Sequence, residues 1–384
     1  MMQQFVDTAI SLTVVVTSGV TSAVVEWLRK VLFGHQTKVL PQLYYKESDL
    51  SDYLIQNCSS LSRVFCPPWW MIANHAQTIM PVFLPKPDMV FKRELVKLRD
   101  EGMLAIDWAT SGIEELNTSA PVLLILPGLA GNANGCRHLV KHAVERGFRP
   151  VVFNKRGHGG CKITTPRLQN FCDPTDFKQV IEFVERKYPN ARLASIGLSA
   201  GSGLLLAYLG LEQDPVPLVA NVAISAGYDT DRVLNGYLRP PYDYLLLQGL
   251  RRIIQENKDV LSDKFDVSHA LQSKTMIELQ DRLYRQIYGY KTLQEHWLKD
   301  NPLPHMSEIK APVLCINSRD DPICAQELIP FGVFARNQNL MLALMEKGGH
   351  CGFIEKEKLS SWAERTAVDY IASVLDYMEN NSDT

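Results

Sequence analysis

From residue 121 onward the chain alternates two patterns of hydrophobic and polar positions. Continuous apolar runs at 121–126, 150–153, 193–196, 219–225, 311–317 and 340–345 read as strands covered on both faces, since none leaves a polar side for water. Between them apolar residues recur at helical spacing. Helices are predicted over 137–145, from Asp173 as N-cap with Pro174 in the first turn, over 204–211, and over 360–378. In the second of these, Phe177, Val180, Ile181 and Val184 mark the buried stripe. Upstream, 89–95 and 103–108 read as an antiparallel pair joined by the charged turn 99–102. Strand alternating with helix predicts an α/β fold with a mostly parallel central sheet flanked by helices.

The same pattern divides the chain. Residues 1–30 form an apolar leading segment, 31–85 an irregular lead-in expected to pack on the core, and 86–384 the main domain. Within it, the helical stretch 237–303 is rich in Leu, Ile and Tyr. It is expected as a cap, about 230–305, inserted between the sixth and seventh strands of the fold, where Leu245, Leu246, Leu247 and Leu250 supply either a surface for an acyl group or the cap's own core.

Candidate chemistry sits at the strand ends. Gly197-Leu198-Ser199-Ala200-Gly201 joins a predicted strand to a predicted helix, the context of a nucleophile elbow in which glycines allow the sharp turn and the close neighbouring backbone. The motif alone is weak, and its weight comes from the residues downstream of it. The strand 311–317 runs into Ser318-Arg319-Asp320-Asp321-Pro322, and the strand 340–345 into Glu346-Lys347-Gly348-Gly349-His350. Nucleophile, acid and base in that order match the Ser, Asp, His sequence of the α/β-hydrolase fold. The interval between acid and base leaves room for one helix, about 324–335, and one strand. His350 would take the Ser199 proton and return it to the leaving group, and the acid would fix the imidazole tautomer. Asp321 is preferred over Asp320 because Pro322 makes a natural exit from the turn; Asp229, at the end of the strand 219–225, ranks behind both. The amides of Leu129, in Pro127-Gly128-Leu129, and of Ala200 are the expected oxyanion donors. His75, Arg156 and His158 are read as structural, and Cys351 as no nucleophile, since no helix comes after it.

Composition narrows the classes. The chain has 384 residues, 46% hydrophobic, with a net charge of −2, and shows no basic and aromatic interleaving, so nucleic acid is not an expected partner. Eight cysteines lack C-x-x-C pairs or histidine spacing, so no metal and no cofactor is implied. From Ala9 to Leu28 the only charge is Glu26, and Arg29-Lys30 come next. That length just spans a bilayer, while its many Ser and Thr suit an interfacial anchor equally. A membrane association, single-pass at the endoplasmic reticulum or a related membrane, is expected; a secreted chain is the alternative. The basic residues and the sequons at Asn57 and Asn117 point to opposite orientations.

Together, the segment 69–79, Leu126-Pro127-Gly128-Leu129, Asn154-Lys155-Arg156-Gly157, the elbow with Tyr208-Leu209-Gly210 after it, Asp320-Asp321-Pro322 and Gly348-Gly349-His350 resemble the membrane-anchored α/β-hydrolase-domain proteins, grouped with bacterial and yeast esterases as a fourth hydrolase family. The resemblance covers nearly everything from Tyr45 onward. It implies a serine carboxylesterase or lipase acting on acylglycerols or phospholipids, with the triad on Ser199, Asp321 and His350. One departure is Ser202, where active relatives usually carry a second glycine. The alternative implied is a catalytically weak regulatory or scaffold protein in lipid metabolism that keeps the hydrolase fold.

Overall fold

In a computed structural model describing residues 39–212 and 215–381, nine strands form one sheet. They are β1 (Gln42–Tyr45), β2 (Phe91–Lys97), β3 (Met103–Ala109), β4 (Val122–Leu126), β5 (Arg149–Asn154), β6 (Leu193–Leu198), β7 (Leu218–Ile224), β8 (Val313–Ser318) and β9 (Leu340–Met345). The helices that position the site are α1 (Asp49–Asn57), α2 (Asn74–Ile79), α3 (Arg137–Glu145), α4 (Thr175–Lys187), α5 (Ala200–Leu211), α6 (Tyr242–Glu256) and α7 (Trp362–Asn381). The strand order is β1-β9-β8-β7-β6-β4-β5-β3-β2. The six strands from β4 to β9 pair in parallel, and β2 and β3 add an antiparallel edge in the register Leu95↔Ala105. The predicted pair is therefore present, with its first strand starting two residues later than the alternation suggested.

Neighbouring side chains on a strand serve opposite layers. Leu123 and Ile125 of β4 join the core under α3 and α7. Val122, Leu124 and Leu126 join the core under α4 and α5. In α4 the expected stripe is buried: Phe177, Val180 and Val184 are fully covered and Ile181 nearly so. The Asp173 carboxylate accepts from the Thr175 amide, so it serves the helix start as expected, although Pro174 occupies the cap position. Arg186 and Lys187 lie in the last turn, where cations complement the helix dipole, and Pro189 disfavours helical backbone at Tyr188.

Three features depart from the sequence expectation. The lead-in is structured. It contains α1, α2 and β1, which pairs antiparallel with β9 and forms the other edge of the sheet. Counting β1, the helical insertion falls between the seventh and eighth strands. Second, the interval 324–335 holds no continuous helix, only short turns at Gln326–Leu328 and Phe331–Phe334. Pro330 lacks the amide that a helix through this stretch would need, and its ring would clash with the preceding turn. Third, the closing helix begins at Trp362, not at Ser360.

Between β7 and β8 the chain is helical, with α6 its longest helix. This insertion has a core of its own that includes Leu247, Leu250, Ile254, Leu279 and Leu283, closed against Ile163 and Leu168. The four candidate cap leucines divide: Leu247 and Leu250 enter this core, Leu246 is part-buried and Leu245 is half exposed. The apolar stretch 9–28 lies outside the described residues. No helix among the described residues is long and apolar enough to cross a membrane.

Candidate active site

Ser199 stands between β6 and α5 with φ 53° and ψ −118°, a region that side chains avoid and that a sharp elbow imposes. The turn leaves no room beside it. A Cβ on Gly201 would strike the Leu126 carbonyl of β4, and one on Gly197 would strike the backbone of Gly201 and Ser202. Ser202 fits where a glycine was expected because its hydroxyl, fully buried, donates to the Ile224 carbonyl at 2.8 Å.

The structure brings the three predicted residues together. Ser199 Oγ lies 2.7 Å from His350 Nε2, and His350 Nδ1 lies 2.8 Å from Asp321 Oδ2. The other oxygen of Asp321 accepts from the Ile323 and Cys324 amides at 2.8 and 2.9 Å. Those two bonds fix the orientation of the carboxylate toward the imidazole. Asp320 turns elsewhere: its Oδ1 accepts from the Gly349 amide, which shapes the histidine loop. Asp229 is also apart, accepting from the Arg232 amide and Asn301.

The loop after β4 approaches the nucleophile from the other side. A Cβ on Gly128 would sit 3.5 Å from that of Ser199, so the two backbones are nearly in contact. Leu129 and Ala200 line the same cavity as Ser199, and neither amide meets an acceptor among the described residues. Unpaired amides beside a nucleophile are what a developing oxyanion requires. The cavity, about 70 Å³, is walled by apolar side chains including Phe171, Leu238, Leu246, Met276 and Ile323. That is space for several water-sized groups.

Sequence reasoning gave the segment 69–79 no role beyond its part in the resemblance, yet it supports the histidine loop. Thr78 Oγ1 accepts from the His350 amide at 3.0 Å and donates to the Asn74 carbonyl, while Asn74 Nδ2 donates to the Asp320 carbonyl. Buried Gln77 exchanges hydrogen bonds with the backbone of Ile354. The polar run Asn74, Gln77, Thr78 inside an otherwise apolar stretch was the available signal. His75, read as structural, pairs its Nδ1 with the Tyr242 hydroxyl of α6 at 2.6 Å. Arg156 is buried between Asp100 and Asp176, and His158 meets the Leu129 and Arg156 carbonyls, so both order loops.

Asp321, Cys324 and His350 bring potential metal-ligand atoms within 4.8 Å. Two of these are engaged with each other, and burial holds the Cys324 thiol well above its ordinary pKa, which disfavours the thiolate a metal would need. Cys351 resembles it: its largely covered thiol is pushed up by burial, and its amide is held by Ser225 Oγ.

Residues 121–357 match the family model described as alpha/beta hydrolase fold. The chain belongs to the α/β-hydrolase fold family. It is 29% identical to human Phospholipase ABHD3 over 352 residues, which cover 88% of this chain and 85% of that one. Human Protein ABHD15 is 30% identical over 81% of this chain and 69% of its own length. Mouse Monoacylglycerol lipase ABHD2 is 24% identical over 89% and 87%. The elbow between strand and helix and the chain order of the three candidate residues, Ser, Asp, His, agree with this fold.

Proposed function

We propose that this chain is a serine hydrolase of lipid carboxylic esters, acylglycerols or phospholipids, working through an acyl-enzyme on Ser199. The observation that carries the reading is the hydrogen-bond chain from Ser199 through His350 to Asp321, assembled at 2.7 and 2.8 Å. His350 accepts the Ser199 proton as the hydroxyl oxygen attacks the ester carbonyl. The resulting oxyanion is met by the Leu129 and Ala200 amides. Asp321 stabilises the imidazolium, which then protonates the departing alcohol. Water, deprotonated by the same imidazole, attacks the acyl-serine, releasing the fatty acid and returning the hydroxyl.

The apolar cavity beside Ser199 suits an acyl chain better than a sugar or a peptide, and relatives named as a phospholipase and a monoacylglycerol lipase support the same class. A membrane is the natural place to meet such a substrate. Supporting that setting are the apolar stretch 9–28 and the exposed Trp69, Trp70, Val82 and Phe83 around the α2 segment that braces His350.

The test is fatty acid release from phosphatidylcholine and monoacylglycerol in mixed micelles, comparing the full chain with Ser199→Ala. Loss of a triad member should lower turnover by about a thousandfold or more. Equal release by both proteins would refute the nucleophile.

A further inference from the structure

The loop that offers the Leu129 amide is gripped from behind. Lys155, at the end of β5, donates from Nζ to the Pro127 and Gly128 carbonyls, each at 2.6 Å. His158, three residues on, has its Nε2 2.9 Å from the Leu129 carbonyl. Three consecutive carbonyls of the oxyanion loop are thus held by two side chains of one turn. Both side chains are almost wholly buried, at 4% and 3% exposure. An ammonium in such a place is costly, and no carboxylate among the described residues pairs with Lys155. A loop needing only to be closed would not require it.

The turn is itself anchored. Arg156, between the two, is fixed bidentately by Asp176 of α4 and bonded to Asp100. Together with Leu129 and Ala200, Lys155 and His158 line a chamber of about 10 Å³, the room of roughly one water. The same chamber is lined by Asn170, Gln280 and Tyr284, whose Asn170 Oδ1, Gln280 Oε1 and Tyr284 hydroxyl meet no hydrogen-bond partner among the described residues.

We propose that Lys155 and His158 are positioning residues for the hydrolytic centre, holding the Pro127, Gly128 and Leu129 carbonyls so that the Leu129 amide stays aimed at the oxyanion. A peptide plane has its carbonyl and amide on opposite sides, so fixing the Gly128 carbonyl fixes the direction of the Leu129 N–H. The pair therefore acts on the transition state, in which the charge develops, and not on ground-state binding. This role rests on the proposed hydrolase activity.

The experiment compares wild type, Lys155→Met, Lys155→Arg and His158→Gln with p-nitrophenyl butyrate as substrate and an alkyl trifluoromethyl ketone as transition-state mimic. Direct loss of an oxyanion donor typically costs about 10²–10³ in kcat. Lys155→Met should lower kcat by roughly 10–100-fold, since the donor remains but is misaimed. KM should stay within about threefold, and ketone affinity should weaken in parallel with kcat/KM. Lys155→Arg and His158→Gln, which retain donors, should recover part of the loss and guard against a fold defect in the methionine variant. Hydrolysis by wild type with kcat unchanged in Lys155→Met, or a rise in KM alone, overturns the positioning role and leaves the hydrolase reading intact. No hydrolysis and no ketone binding by folded wild type would overturn both.

Discussion

Ser199 occupies a backbone region that costs energy to hold, and the neighbours that hold it are identifiable one by one: glycines at 197 and 201, the Leu126 carbonyl, and the hydroxyl of Ser202 on Ile224. The two adjacent aspartates are distinguished in the same way. Asp321 faces the imidazole, while Asp320 accepts from the loop backbone at Gly349. Asp321→Asn should therefore cost about 10⁴ in kcat, the cost of presenting the wrong histidine tautomer. Asp320→Asn should cost far less, because an amide oxygen still accepts from Gly349. Equal losses in steady-state kinetics would contradict the assignment. His158 gives a pH prediction. Burial, then the Lys155 charge, lowers its pKa from 6.5 to about 4. The unfolded chain binds this proton below about 6.5 and the folded chain only below about 4, so stability is full above pH 6.5 and falls as pH drops toward 4. Between pH 7 and pH 4.5, urea titrations should show a loss of stability that is smaller in His158→Gln than in wild type by on the order of 2 kcal/mol. An unchanged pH dependence would contradict a neutral buried ring.

At the scale of elements, α4 is held by Phe177, fully buried between Phe153 and Tyr208 with ring centroids 5.4 Å from each. Phe177→Ala should lower the unfolding free energy by about 3–5 kcal/mol, and a urea-derived loss below about 1 kcal/mol would show that the helix depends on something else. This helix was legible in the sequence because its information is local: a carboxylate that accepts from the first helical amide, an apolar stripe and a proline stop. So were the strand runs, and so was the order in which the Ser, Asp and His signals fall at strand ends. The features that escaped depend on distant partners. β1 is four mixed residues whose reason to be a strand is the edge of β9, nearly three hundred residues away. Thr78 matters only because the His350 amide comes to it, and Lys155 only because the Pro127 and Gly128 carbonyls do. The helix expected over 324–335 failed for the opposite reason, since spacing suggested it while Pro330 forbade it locally.

At the scale of the whole molecule, one sheet carries the candidate triad at the ends of its parallel strands, and the insertion between β7 and β8 supplies Leu238, Leu246 and Met276 to the cavity over Ser199. Exposed Trp69, Trp70, Val82 and Phe83 lie on the segment that leads into and out of α2. If this face meets a lipid surface, Trp69→Ala with Phe83→Ala should reduce co-sedimentation with phosphatidylcholine vesicles several-fold while turnover of a water-soluble ester stays within about twofold. Removing residues 1–30 should reduce it further. Unchanged vesicle binding in both variants would place the contact elsewhere. That Ser199 is the nucleophile and His350 its base is read out by peptide mass spectrometry after brief reaction with a fluorophosphonate, which phosphonylates an activated serine with loss of fluoride. A single adduct is expected on the peptide bearing Ser199, its rate of formation reduced by at least about a thousandfold in His350→Ala. An adduct on another residue, or equal labelling of wild type and Ser199→Ala, would contradict it.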